Sequence, residues 1–163
     1  MKILGIDPGI GRCGWAVISS QKSVVSSHDY GCIETSSKKT VEERLTEIYD
    51  EILAIIKKHQ PEVLAIEELF FNTNAKTAFI VGQARGVILL AASQNKLNIS
   101  IYTPLQVKMA ITGYGRAEKN QIGQMVKILL KLKTIPKSDD TADALAVALT
   151  HAFSAKMHAF QDK

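Results

Sequence analysis

Residues 40 to 66 constrain the fold more than any other stretch. Thr40 and Glu43 have capping-box spacing, with the hydroxyl placed for a helix N–H and the carboxylate for the cap's own. Val41, Leu45, Ile48, Ile52 and Ile55 or Ile56 recur at helical intervals, which puts one apolar stripe on a helix from Thr40 to about His59. Pro61 stops it. Val63-Leu64-Ala65-Ile66 follows as a continuous apolar run, suited to a strand buried on both faces. A helix leading into such a strand is the crossover that parallel pairing requires. This unit alone points to the α/β class.

The parallel neighbour is the opening run, Ile3–Ile6, ended by Asp7-Pro8-Gly9. Gly14–Ser19 and Val24–Thr35 read as second and third strands. Their short loops make the first three strands antiparallel neighbours. Ala75 to about Gln94 reads as a helix that is apolar nearly all round. Leu97–Tyr102 is a fifth strand, and Pro104 opens a short helix to about Ile111. Thr112–Glu118 is expected to be a mobile loop. Helices follow over Lys119–Leu132 and from Asp139 to about Ala155. At 163 residues the chain fits one domain of about 100–200 residues. The expectation is a single domain over 1–155 and a frayed tail over 156–163. Its α/β sheet is mixed and five-stranded, three antiparallel strands followed by two parallel ones, with helices on both faces. Gly82 and Gly86, four apart on one helical face, suggest close backbone approach. Packing on the sheet and a two-fold dimer contact both answer that.

Charge is unevenly laid out. From Leu69 to Ser138 Glu118 is the sole acid against ten Lys or Arg, so this span carries +9 while the whole chain carries +4. A basic half suits a polyanionic partner, but charge alone favours the plainer reading, a solvated charged face. The longest apolar region, Ala78–Ala92, is interrupted by Gln83 and Arg85 and falls short of the ~20 residues of a membrane span. The few residues before Asp7 are too short for a signal peptide's apolar region, so a cytoplasmic protein is expected. Cys13 and Cys32 are unpatterned and read as reduced thiols.

Three acidic stretches carry the chemistry: Asp7, Glu67-Glu68, and Asp139-Asp140 with Asp143. Asp7 and Glu67 end apolar strands. If those strands are parallel neighbours, their C-terminal ends meet. Asp140 and Asp143 share a helical face, and Asp139 and Asp143 do nearly as well, so spacing leaves that choice open. Taken singly, an Asp before Pro-Gly is a turn residue, and acids opening a helix serve its dipole. Together they form a set of like charges that calls for a cation. Oxygen-only ligands suit Mg²⁺, with Mn²⁺ as its expected substitute. Two such ions ~4 Å apart can activate water and stabilise the leaving oxygen of a phosphodiester. His28, His59, His151 and His158 are scattered and make no zinc pattern.

With these residues in view, the chain resembles the RuvC family, bacterial Holliday-junction resolvases of the RNase H-like fold. The likeness runs nearly end to end. It rests on Gly5-Ile6-Asp7-Pro8-Gly9, Ala65-Ile66-Glu67, Gly82-Gln83-Ala84-Arg85-Gly86-Val87, Ala117-Glu118-Lys119 with Gln121, and Ala142-Asp143-Ala144-Leu145-Ala146. The resemblance implies that Asp7, Glu67, Asp140 and Asp143 are the catalytic, metal-holding acids; register from the last motif favours Asp140 over Asp139 and leaves Glu68 out. It implies two Mg²⁺ per site, one held by Asp7 and Asp143 with Asp140, the other by Asp7 and Glu67. It further implies a homodimer that nicks opposed strands of a four-way DNA junction at a preferred short sequence, leaving ligatable 5′-phosphates. Cooperation with the RuvA–RuvB branch-migration complex is implied too. Phe70 would stack on or wedge against a base at the crossover, and Phe71 is either a second such residue or a core aromatic. Lys108 and Lys119 match basic positions that contact the DNA backbone, while Arg116 and Lys76 join them on charge only. Gly82 and Gly86 would fall in the dimer contact. One departure is Ile10-Gly11-Arg12, where relatives often carry Ser or Thr and then a basic residue, so the resemblance assigns Arg12 no role.

Three rivals stand beside this. An ATP-binding domain of the actin and sugar-kinase superfamily also opens on a Gly-Ile-Asp strand but needs a second phosphate loop, absent here. A related nuclease of ribosomal-RNA precursors fits the Gly82–Gly86 helix poorly. A non-catalytic DNA-binding module would be indifferent to loss of the acids.

Overall fold

The computed structural model describes residues 1–21, 24–69 and 75–161, and the side chains of these except 75–77 and 156–161. In chain order the elements are β1 (Lys2–Asp7), β2 (Arg12–Gln21), β3 (Val24–Glu34), α1 (Val41–His59), β4 (Val63–Glu67), α2 (Ala75–Gln94), β5 (Asn98–Tyr102), α3 (Pro104–Thr112), α4 (Lys119–Leu129) and α5 (Asp139–Gln161). One sheet runs in the order β3-β2-β1-β4-β5. β1–β2 and β2–β3 are antiparallel, while β1–β4 and β4–β5 are parallel. This is the expected mixed sheet.

Local chemistry explains the crossover. The Thr40 hydroxyl accepts from the Glu43 N–H at 3.4 Å, and the Glu43 carboxylate accepts from the Thr40 N–H at 2.8 Å. Gln60 closes α1 in a left-handed conformation at φ 49°, and Pro61 follows. Side chains alternate across the strands. Leu4, Ile6, Val17, Leu64 and Ile66 pack with α1 and α2 residues such as Ile48, Ile52 and Ile88. Ile3, Ala16, Ile18 and Ala65 pack on the opposite face under Ala144–Leu149 of α5, with α3 and α4 alongside.

α5 lies against the sheet with no room for side chains at two crossings. A Cβ on Gly5 would stand 2.3 Å from the Ala144 carbonyl oxygen, and one on Gly14 would stand 1.9 Å from that of Asp140. Gly5→Ala is therefore expected to lose about 3 kcal/mol of stability in urea unfolding, since backbone on both sides must shift. A midpoint within error of the parent's would show that α5 can move at no cost.

Some boundaries differ from the reading of the sequence. α5 continues to Gln161, past the expected end near Ala155, because residues 155–161 hold no Gly or Pro to stop a helix. α4 ends at Leu129, short of Leu132, with Lys131 left-handed at φ 53°. The segment expected to be a mobile loop is tied by hydrogen bonds. Gly113 caps α3 at φ 72°, the Tyr114 N–H donates to the Thr112 hydroxyl at 3.1 Å, and the Ala117 N–H donates to the Tyr114 carbonyl at 3.1 Å. Cys13 and Cys32 are free thiols, and burial pushes that of Cys13 up to about 12. Among the described residues no helix is long and apolar enough to cross a membrane.

Candidate active site

The two central strands end side by side. Ile6 pairs with Ile66 in the parallel β1–β4 register, which carries Asp7 and Glu67 to adjacent positions at the same edge. The Gly5 and Gly14 crossings then lay the first turns of α5 over that edge and bring in Asp143. Asp7, Glu67 and Asp143 line one cleft of about 390 Å³. Lys108 of α3 and Lys119 of α4 line it too, with Pro8, Pro104, Val107 and Ile122 as apolar walls.

The electrostatics are those of buried carboxylates set close together. Burial, then the charges of Asp143, Glu67 and Asp140, push Asp7 from the ordinary 3.8 up to about 8. Burial and Asp143 push Glu67 up to about 7, against the pull of Lys119 and Lys108. Burial also raises Asp143, although Lys119 Nζ lies 3.1 Å from its Oδ2 and opposes the rise. Burial lowers Lys119, but its ion pair with Asp143 outweighs this and the net shift is upward.

The fourth expected acid is placed differently. Asp140 is close enough to raise Asp7, yet it is not among the residues lining the cleft. Its Oδ2 is 2.9 Å from Arg12 Nε and accepts from the Ser138 hydroxyl at 3.0 Å. Asp139 instead lines an adjoining hollow with Lys119, Gly123, Pro136 and Asp143. The alternatives left open by spacing thus face different surroundings, and Asp140 is the one that bears on Asp7.

Glu68, which the resemblance left out, does line the cleft. Its N–H donates to the Tyr102 carbonyl at 2.8 Å and keeps it in line with the strand end; its place beside Glu67 was the signal. Arg116 is exposed and not part of the lining. Phe70 and Phe71 lie outside the described residues, as does the side chain of Lys76. Among the described residues, an added Cβ at Gly82 or Gly86 would meet nothing within 4 Å, so neither glycine makes room for packing against them.

Among the described residues, no group of three or more acidic, histidine or cysteine side chains is arranged as it stands to hold a metal ion. The donor set nonetheless fits a hard divalent cation. It is oxygen-only, and burial first and the neighbouring carboxylates second raise Asp7 and Glu67, a cost to their charged forms that such an ion would relieve.

Acids at the ends of two central parallel strands, joined by a third from the helix across them, define a nuclease of the RNase H-like class. A family model described as crossover junction endodeoxyribonuclease RuvC matches residues 3–151, and the chain belongs to the RuvC family. The crossover junction endodeoxyribonuclease RuvC of Caldicellulosiruptor saccharolyticus is 55% identical over 163 residues, covering 99% of this chain and 98% of its own. That of Alkaliphilus metalliredigens is 54% identical over 154 residues, covering 94% of each. The structure of Thermus thermophilus RuvC in complex with a Holliday junction substrate superposes with a TM-score of 0.92 at 37% identity, over 97% of this chain and 96% of that one.

Proposed function

We propose that this chain resolves four-way DNA junctions as a homodimer, each protomer hydrolysing one phosphodiester in one of two opposed strands. The observation that carries this is the cleft in which Asp7, Glu67 and Asp143 meet, flanked by Lys108 and Lys119. Asp7, Glu67, Asp140 and Asp143 would hold two Mg²⁺ ions, or Mn²⁺ in their place. Bound there, such ions supply an activated water and stabilisation of the departing 3′-oxygen.

The chain's own residues do the rest. Lys108 and Lys119 take the phosphates of the scissile strand, which supplies affinity and salt dependence rather than sequence choice. The Lys119–Asp143 pair keeps the lysine at the cleft until a phosphate competes for it. Asp7, rigid at its strand end, orients the attacking side of the site, and Glu67 the leaving side. Water oxygen adds to phosphorus and the P–O3′ bond breaks, which leaves a 3′-hydroxyl and a ligatable 5′-phosphate. Phe70 and the exposed Arg116 belong to the junction contact in this reading, as does Lys76. Cooperation with RuvA–RuvB, a preferred cut sequence and a cytoplasmic place on the nucleoid are part of the same proposal.

The dimer contact is proposed on α2. Gly82 and Gly86 share a face with Phe79 and Leu90, which are 70% and 52% exposed. Small residues between exposed apolar ones let a two-fold mate approach closely. Gly86→Arg is expected to turn the dimer into a monomer in sedimentation equilibrium and to leave junctions nicked on one strand. A variant that stays dimeric would move the contact elsewhere.

The activity is tested on gels with a synthetic four-way junction, a linear duplex and an RNA–DNA hybrid, with and without Mg²⁺. Symmetric nicks in the junction alone, only with Mg²⁺, are expected. Cleavage of the hybrid alone would assign a ribonuclease, and junction binding without cleavage would assign a non-catalytic module.

A further inference from the structure

Of the ion pairs among the described residues, two fall on the acid cluster: Lys119 on Asp143 and Arg12 on Asp140. The second is built into the fold. Arg12 opens β2, and Gly14, two residues on, is pressed against the Asp140 carbonyl, which sets the distance between β2 and the first turn of α5. Arg12 Nε reaches Asp140 Oδ2 at 2.9 Å, and its Nη2 donates to the Ser138 hydroxyl at 2.9 Å. The Ser138 hydroxyl in turn donates to the same Asp140 oxygen at 3.0 Å. Ser138 is itself held, because its carbonyl accepts from the Ala142 N–H at 3.1 Å as α5 begins. One oxygen of Asp140 therefore carries two donors, one of them cationic. The other acid facing Arg12, Glu34, is 4.0 Å from Nη2.

We propose that Arg12 is a positioning residue that competes with a bound cation for Asp140 and so sets how tightly the acid centre takes a divalent ion. This rests on the reading of the acids as cation ligands. Arg12 touches neither the cleft lining nor, in this reading, the substrate. A carboxylate oxygen already held by a guanidinium donates less to an ion, and the guanidinium charge opposes a second cation nearby. Removing Arg12 should therefore strengthen cation binding, although one Asp140 partner is lost.

The test is Mn²⁺ affinity of the metal-free dimer without DNA, read from the EPR signal of free Mn²⁺, at low ionic strength. Arg12→Ala is expected to bind Mn²⁺ about three- to fivefold more tightly than the parent, the range for a partly exposed pair. The gain should narrow as salt is added. Arg12→Lys, which keeps the charge, should return most of the parent's affinity. In an Asp140→Asn background, Arg12→Ala should gain clearly less, because the part of the effect that acts through the Asp140 carboxylate is gone and only the guanidinium charge remains. Unchanged or weaker binding in Arg12→Ala would overturn the proposal, as would an equal gain in the Asp140→Asn background, which would mark Arg12 as a distant charge only. A parent that binds no Mn²⁺ would overturn the reading of the acids as well. Arg12 is 53% exposed, so its truncation leaves no cavity in the core.

Discussion

Asp7→Asn is expected to abolish junction cleavage, with a rate loss on the order of 10³ or more, while junction affinity stays near the parent's. The reason is its position. Asp7 stands at the end of a buried central strand, between Glu67 on the neighbouring strand and Asp143 on the crossing helix. Among the described residues it is the acid on which the charges of Asp143, Glu67 and Asp140 all act. The substitution keeps size and one acceptor oxygen but removes charge, so the fold and the proposed Lys108 and Lys119 contacts should persist. Glu67→Gln and Asp143→Asn should behave alike, and pairs of these should add little, because the acids work as one unit. Single-turnover gels measure the loss and a filter or mobility assay the affinity. Cleavage within about tenfold of the parent would remove Asp7 from the reaction.

The metal-free protein is expected to lose stability as pH rises from about 4 to about 8. Asp7 sits near 8 in the fold against an ordinary 3.8, and Glu67 near 7 against 4.5. Between those limits the native state binds more protons than the unfolded chain, so unfolding becomes easier as protons leave. The contribution is fully present below the unfolded values and is lost as pH passes through the folded ones. It amounts to several kcal/mol, since each tenfold change in acidity is worth about 1.4 kcal/mol. Asp29 and Glu62 are lowered by Lys58 and by the Lys2 N–H respectively, so they act oppositely at the acid end. Urea unfolding in chelator at pH 5, 6.5 and 8 measures the slope. Asp7→Asn should flatten it, and Mg²⁺ should stabilise the parent more at pH 8 than at pH 5. A parent with no slope, or an Asp7→Asn variant with the parent's slope, would contradict the crowding of these acids.

Both results depend on features with different visibility in the sequence. The Thr40–Glu43 cap, the apolar stripe of α1 and the run Val63–Ile66 are local, and periodicity exposes them. From them the parallel pairing of β1 and β4 follows, since a crossover helix allows little else. Asp7 and Glu67 were therefore legible as neighbours once their strands were. The glycines were visible, but their purposes were not. Gly5 and Gly14 matter because α5 arrives from more than 120 residues away and rests on them. Gly82 and Gly86 looked the same in sequence, yet among the described residues nothing stands within 4 Å of a Cβ added at either.

By itself, then, the sequence determined the order of strands and helices, the direction of each strand, and which acids end the central pair. Those depend on side-chain periodicity, turn chemistry and the connection rules that short segments obey. The tertiary structure alone decided where α5 crosses the sheet. That crossing brings Asp143 into the cleft, leaves Asp139 in a neighbouring hollow, and places Asp140 under Arg12, 128 positions apart by their numbers. Contacts of that separation carry no local signal, because they are set by how closely two backbones can pack.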